Sequence, residues 1–350
     1  MTRNMSLRVS IRSIAQKAGV SANTVSLALK NSPRLQTKTR EHIHKIAQQL
    51  GYRINPFISA FMSDLKRSKT ANQSIITLAY LAGTRLSKNS TKEWNPEENL
   101  RHPETRNGAL ERAKQLNYKL ETFYWDQPGM TGERLTKILH TRNIKGIIVG
   151  PHSPHIDLSI DWSLFSVIAT GHSLSNACMD RVASDIYSNT LLAWDKLRQL
   201  GYQRIGLITP LQGDLAVDQR VSAAYLARQQ LLNKTRTPIP PLFMDSLELK
   251  NFFKWHKQYS PDAIITYPID LVRPLKKIGS DLPGKIGFAC LNIQPDDAIS
   301  GVDPKTRLIG ATSVEMLEGQ LVRNERGLPA HPKLILVPGQ WVEGSTTRQQ

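Results

Sequence analysis

Residues 9–50 leave this chain little freedom. They read VSIRSIAQKAGVSANTVSLALKNSPRLQTKTREHIHKIAQQL, and the spacing of apolar positions predicts three short helices in close succession. Ser10 is placed to cap a first helix from Ile11 to Ala18, whose positions Ile11, Ile14, Ala15 and Ala18 share one face. Gly19 supplies a turn and Val20 a hydrophobic plug, after which Ser21 caps a second helix with Val25, Ala28 and Leu29 inward. That leaves Ala22, Asn23, Thr24, Ser26 and Leu27 outward. Most of these are short, so the helix can approach base edges closely, as a helix-turn-helix does in the major groove of DNA. Beyond Ser32-Pro33 a third helix runs from Thr37 to Leu50, with Ile43, Ile46, Ala47 and Leu50 facing in. A three-helix unit that only packs, or that binds another protein, fits the same pattern. Charge separates the readings. Residues 1–72 hold 13 Lys and Arg against Glu41 and Asp64, a net +11 of the chain's +17, the footprint of a surface facing phosphates.

Val9-Ser10-Ile11, Ala15, Ala18-Gly19-Val20-Ser21, Thr24-Val25-Ser26, Thr39-Arg40, and Leu50-Gly51-Tyr52 followed by Asn55 resemble the LacI/GalR family of bacterial transcription regulators. The resemblance, with the outward face of the second helix, implies a DNA surface of Ser10, Ser21, Ala22, Asn23, Thr24, Ser26, Leu27, Thr39, Arg40, Asn55 and Phe61. Leu27 departs from the pattern, because many members carry an arginine there. Leucine has no donor for guanine but can lie against a thymine methyl. The alternative is that Leu27 packs inward and reads nothing.

Asn55 and Pro56 suit the start of a short helix, and Phe57, Ile58, Phe61, Met62 and Leu65 form a strongly apolar stripe along it. So short a helix needs a partner to be stable. In the resemblance it is the hinge helix, paired with its twin in the dimer on DNA. Phe61 stands where the family has a leucine that wedges into the minor groove; packing on the larger domain is the other reading. Lys66, Arg67 and Lys69 lead into a polar linker. The domains expected are therefore 1–54, the helix-turn-helix; 55–73, the hinge helix and linker; and 74–350, a ligand-binding and dimerisation body.

At 350 residues the chain has room for two or three domains. Its N-terminus lacks an apolar run and no stretch matches a membrane span, so a cytoplasmic location and no membrane partner are expected. Cys178 and Cys290 sit beside apolar residues and are expected to fill core space. The histidines lack metal spacing: His42 and His44 face opposite sides of a helix, and His152 and His155 lie in a Pro-rich loop.

From Ile75 short apolar runs alternate with amphipathic helices, which predicts parallel α/β units. Expected strands are Ile75–Ala82, Leu120–Tyr124, Gly146–Val149 and Val167–Thr170, then Arg204–Thr209, Ala263–Tyr267 and Ile286–Cys290. Expected helices are Glu104–Leu116 (stopped at Asn117), Glu133–Arg142, Tyr187–Leu200, Arg220–Leu232 and Asp270–Ile278. Two such series predict an α/β body of two doubly wound lobes with a cleft between them. Val182, Asp185, Ala193, Leu197, Gly201, Ile205 and Gly206 resemble the family's passage into its second lobe. Ile309-Gly310, Val314 and Leu317 resemble its late returning helix, and Leu334–Val337 its closing strand. The body thus resembles a periplasmic sugar-binding protein.

Open α/β sheets bind ligands at the carboxyl ends of their strands. Those positions offer Tyr80, Trp125, His152, His172, Tyr267 and Asn292, with Asp185 at the lobe crossover and Arg220 at a helix start. Arg220 matches a family arginine that hydrogen-bonds effector oxygens. Aromatic faces among a few polar groups suit a sugar or another small polar metabolite. The family's usual Asn-Asp is Tyr267-Pro268 here, a frequent Asp is Asn292, and Gly171-His172 replaces the common Asp-Arg, which leaves the effector open. No phosphate-binding loop, no G-x-S-x-G and no H-E-x-x-H occurs, so neither a cofactor nor enzymatic activity is expected. The reading is a DNA-binding regulator, a homodimeric repressor on a palindromic operator, controlled by a carbohydrate-like effector. Two alternatives remain: a cytosolic sugar sensor acting through protein contacts, and a sugar-modifying enzyme without visible catalytic groups.

Overall fold

Three short helices can bury little alone, so the N-terminal residues fold around one shared stripe. In the computed structural model, α1 (Ile11–Ala18), α2 (Ala22–Leu29) and α3 (Thr37–Gln49) enclose Ile14, Val25, Ala28 and Ile43, all fully buried. The described residues are 11–29, 35–50, 76–83, 100, 102–151, 159–172, 178–232, 237–244, 248–267, 286–294 and 298–349; the side chains of 11–13, 22, 23, 26 and 232 are not described. Gly19, with φ of +65°, makes the turn. Ser21 caps α2 as expected, its Oγ accepting from the Thr24 N–H at 3.0 Å. His44 Nε2 lies 3.0 Å from the Ala28 carbonyl and ties α3 to α2, while His42 is exposed. The expected hinge helix, the helix Asp270–Ile278, and His152 and His155 lie outside the described residues.

The chain divides into two compact units, Met1–Ser74 and Ile75–Gln350. The second holds two six-stranded sheets. In the first lobe β1 (Thr77–Ala82), α4 (Pro103–Gln115), β2 (Lys119–Tyr124), α5 (Gly132–Thr141), β3 (Gly146–Val149), β4 (Ser166–Thr170) and β5 (Asp180–Ser184) follow in order. The second lobe contains α6 (Ile186–Gln199), β6 (Ile205–Thr209), α7 (Leu211–Leu215), α8 (Arg220–Leu232), β7 (Leu242–Phe243), α9 (Leu249–Tyr259), β8 (Ala263–Thr266), β9 (Gly287–Cys290) and β10 (Gly301–Asp303). The chain then returns through α10 (Thr306–Arg323) and β11 (Leu334–Val337) to the first lobe, and ends with β12 (Gln340–Val342) in the second.

The sheet orders are β11-β5-β4-β3-β1-β2 and β12-β10-β9-β8-β6-β7, parallel throughout except for β12. Ile147 pairs with Val167 and Ile264 with Phe288. Helices cover both faces, so the central strands are buried along their whole length and read as apolar runs. In the first lobe α4 and α10 pack over Leu78, Ile148, Ile168 and Val182, and α5 lies over Leu81, Ile147 and Val167. In the second, α6 and α8 bring Trp194 and Tyr225 onto Leu207, Ile265 and Ala289, while α9 places Phe252 and Trp255 on Ile208 and Ile264.

The expected α/β architecture is present, with strand limits shifted by a residue or two. Six elements were not anticipated as strands or helices: β5, α7, β7, α9, β10 and β12. One expectation is corrected. Cys178 is exposed, just ahead of β5, whereas Cys290 is buried as expected; apolar neighbours in sequence do not bury a residue that precedes its strand.

The lobes are joined by three passages, after Ser184, after Asp303 and after Val337. Asn189, 2% exposed in the first turn of α6, links two of them. Its Nδ2 donates to Ser184 Oγ at 2.9 Å and its Oδ1 accepts from the Gly339 N–H at 2.8 Å. The Asp185 N–H also donates to the Val337 carbonyl at 2.9 Å. Gly339 also presses on the second passage, since a Cβ there would lie 2.8 Å from the Asp303 carbonyl oxygen.

The α4–α10 packing also depends on close backbone approach. A Cβ on Gly310 would fall 1.9 Å from the Thr105 carbonyl oxygen. On Gly319 of the same helix it would meet only the mobile end of Arg323, at 3.0 Å. Gly310→Ala is therefore expected to cost about 1–3 kcal/mol through overpacking. Gly319→Ala is expected to be neutral or to gain up to about 1 kcal/mol of helix propensity. Urea unfolding of both variants checks the contrast.

Candidate DNA-reading surface and interlobe ligand site

The outward face of α2 is built by the cap before it and the core behind it. Val25 and Ala28 point into the helical core, while Leu27 is half-buried and is not among the residues that pack against that core. Thr24 is half-buried, its hydroxyl 2.8 Å from Ser21 Oγ, and Ser21 is exposed. Ala22, Asn23 and Ser26 lie on the same helix. Thr39 and Arg40 are half-buried in the first turn of α3, where Arg40 Nη2 donates to Thr37 Oγ1 at 3.3 Å. Ser10, Asn55 and Phe61 lie outside the described residues.

In the body, the carboxyl ends of both sheets carry the expected polar groups, but with different degrees of freedom. Tyr80 is 1% exposed, part of the core beneath α4 and α10, and burial pushes its phenol well above the usual range against the pull of Thr170 and Arg106. Trp125, directly after β2, packs half-buried against the cluster under α5. Tyr267 follows β8 and packs on the second-lobe core; burial raises its hydroxyl to about 12. Its carbonyl accepts from the Thr209 hydroxyl at 3.0 Å. Asn292, after β9, is half-buried.

Asp185 is engaged locally. Its carboxylate caps α6, accepting from the Ser188 N–H at 3.1 Å and the Ser188 hydroxyl at 2.7 Å. Arg220 opens α8, delivered by Asp218 and Gln219 with φ of +55° and +57°. Asp214, 1% exposed, holds that helix start by accepting from the Val221 and Ser222 N–H groups at 3.2 and 3.3 Å. Arg220 Nη2 approaches Asp218 Oδ2 at 3.5 Å, and its buried Nε has no hydrogen-bond partner.

His172 follows β4, and its Nε2 lies 3.1 Å from the Ser184 carbonyl. A carbonyl only accepts, so Nε2 carries the proton and Nδ1 is the free lone pair of the neutral ring. Next to it is Arg181, which sequence reading passed over. Its Nη1 reaches the Gly171 and His172 carbonyls, each at 3.4 Å. The signal was faint: Asp180–Ser184 reads DRVAS, without the apolar run of its neighbours. These first-lobe groups and the second-lobe pair act on one another electrostatically across the cleft, for Arg220, Arg181 and Asp218 all bear on His172, and Asp218 on Arg181.

Burial first, and then the two arginines, lower the His172 pKa below its ordinary value of 6.5. The folded body therefore binds fewer protons at this ring than the unfolded chain does as pH falls below that value, so His172 costs stability on the acid side and nothing well above it. His172→Gln keeps a donor for the Ser184 carbonyl and removes the titration. The variant's unfolding midpoint should fall less than the wild type's between about pH 7.5 and 5.5; equal falls would refute the assignment.

The profile described as "Bacterial regulatory proteins, lacI family" matches residues 10–55, and "Periplasmic binding protein-like domain" matches residues 194–347. No curated protein matches the chain. Among solved structures, the fold is shared with the lac repressor dimer bound to operator and the anti-inducer ONPF. Identity there is 18%, the TM-score 0.54, and 98% of this chain and 100% of that one are covered. A CelR–cellobiose complex, described as a transcriptional regulator, is 15% identical with a TM-score of 0.56, over 97% of this chain and 100% of that one. The transcription regulator CcpA of Lactococcus lactis is 13% identical with a TM-score of 0.57, over 78% and 99%. Among the described residues no helix is long and apolar enough to cross a membrane, and no cluster of three or more His, Cys, Asp or Glu could hold a metal ion.

Proposed function

Because the chain belongs to the lacI family of bacterial regulatory proteins, we propose that it represses transcription from the cytoplasm. In this reading it is a homodimer on a palindromic operator, released or tightened by a small sugar-like metabolite between the lobes. Residues 1–54 read DNA, 55–73 serve as hinge helix and linker, and 74–350 bind the effector and the second copy. The observation that carries the reading is α2 of the head, capped by Ser21 with Leu27 outside the core packing, in a segment of net +11. A single such module reads few bases, which favours two half-sites. Ser10, Ser21, Ala22, Asn23, Thr24, Ser26, Thr39, Arg40, Asn55 and Phe61 complete the DNA surface. Tyr80, Trp125, His172, Arg220, Tyr267 and Asn292 are the effector-facing residues; Asp185 belongs with them through the α6 cap it forms.

A mobility shift with genomic fragments, with and without candidate sugars, tests the proposal; a full chain that retains no fragment would refute it. With a bound fragment in hand, affinity should fall by roughly three orders of magnitude between about 50 and 200 mM salt, as six or more phosphate contacts release their counterions. A flat response would rule out a phosphate-facing head.

Base reading gives a sharper test. Leucine at position 27 favours A·T or T·A opposite it through the thymine methyl, with Asn23 and Thr24 as the nearest hydrogen-bonding readers. Selection from random DNA with Leu27→Arg should move one symmetric pair of positions to guanine, a preference of about 1–3 kcal/mol. An unchanged preference would remove Leu27 from the interface.

A further inference from the structure

An arginine that meets a ligand from the start of a helix has to be aimed, and the side chain of Arg220 is itself held by little. Among the described residues its Nη2 meets the exposed Asp218 carboxylate at 3.5 Å, and its buried Nε has no hydrogen-bond partner. A pair so open to water fixes no geometry. The aim therefore comes from the backbone of residues 217–222. That backbone is unusual. Asp218 and Gln219 are both left-handed, with φ of +55° and +57°, in a region that residues other than glycine enter at a cost.

Asp214 holds that turn from behind. Its carbonyl accepts from the Val217 N–H at 3.1 Å and from the Gln219 N–H at 2.8 Å. Its Oδ1 accepts from the Val221 and Ser222 N–H groups at 3.2 and 3.3 Å. Those are the second and third residues of α8, whose N–H groups are ordinarily served by the side chain just before the helix. Gln219 stands at that place, its carbonyl accepting from the Ala223 N–H at 2.9 Å, yet the capping oxygen comes from Asp214. Asp214 is 1% exposed and is tied in turn to the end of β6, its N–H donating to the Pro210 carbonyl at 3.0 Å. One residue thus links the sheet, both sides of the left-handed pair and the first turn of α8. Its Oδ2, buried and without a partner, adds no bond to this clamp.

We infer that Asp214 is the positioning residue of Arg220: by clamping the left-handed pair Asp218-Gln219, it fixes the direction of the guanidinium before any ligand arrives. The inference rests on reading Arg220 as effector-facing and adds what sets its direction. A guanidinium held in advance spares the ligand the cost of ordering it. The two oxygens of Asp214 also become separable. Oδ1 does the holding and Oδ2 makes no bond, so an amide of the same shape keeps the clamp, whereas a methyl group removes it.

The test uses the full chain and needs no effector. The protein is treated briefly with phenylglyoxal, which modifies arginine side chains, and the adducts at Arg220 and Arg228 are quantified by peptide mass spectrometry. Arg228 is the control, because it lies on the same helix and its side chain has the same 29% exposure. Asp214→Ala should raise the Arg220-to-Arg228 ratio about fivefold, the factor that corresponds to a typical lost helix cap. Asp214→Asn should keep the wild-type ratio. A purely structural role would speed both arginines together and leave the ratio unchanged in Asp214→Ala, which would overturn the inference; so would an Asn variant that behaves like the Ala variant. Gln219→Gly probes the left-handed pair directly. It should raise the thermal midpoint of the wild type but not that of Asp214→Ala, whose turn is free to relax. Should Asp214→Ala fail to fold, the other two variants decide: a shifted ratio in Asp214→Asn, or a midpoint that does not rise in Gln219→Gly, overturns the inference. The effector response of Arg220→Ala is scored separately, and a normal response there counts against the ligand reading, not against the clamp.

Discussion

One side-chain amide holds together what the cleft depends on. Two sheets that share no strand can form a binding site only if the segments between them keep a defined spacing. Asn189 sets that spacing by donating to Ser184 at the first passage and accepting from Gly339 at the last. Buried and satisfied at both ends, it is the kind of polar group whose loss leaves two partners unpaired rather than one. The same short region carries Asp185, whose carboxylate starts α6, and His172, whose ring rests on the Ser184 carbonyl. The junction and the candidate ligand residue His172 are therefore directly connected, and a displacement of His172 acts on the first passage.

The head works on a different principle. Its core is small, so its order comes from local devices: a left-handed glycine at position 19, a serine cap, and a histidine bond between α2 and α3. Those devices let the outward face of α2 vary without unfolding the unit. Leu27 can stand where relatives in the resemblance carry arginine because it is not asked to support the core. A substitution there should have little effect on stability.

How much of this was legible follows from how each residue acts. Central strands such as Gly146–Val149 and Ala263–Thr266 are buried on both faces and announce themselves as apolar runs. β5 does not, because Asp180 at its start is pinned by the Lys333 N–H and by Gln320, and Arg181 turns toward the cleft. β10 is three residues long and α9 buries only Phe252 and Trp255, too few for periodicity to stand out. At the site, Arg220 could be placed from a motif, but Arg181 could not, since its reach is set by strand order. Asp185 was placed at the crossover from sequence, while its use as a helix cap depends on a rotamer that sequence does not encode.

The three passages also govern the order in which the body can form. Each sheet receives its last edge strand from the final stretch of chain: β11 joins β5, and β12 joins β10. Neither lobe is a continuous piece, and on the ribosome neither sheet is complete until the residues around 334–342 have emerged. The helical head, by contrast, has its buried partners, among the described residues, within its own first fifty residues. Synthesis thus yields a basic, foldable head long before the body that would discipline it, and the nascent body must wait with two open sheet edges for the chain's last strands.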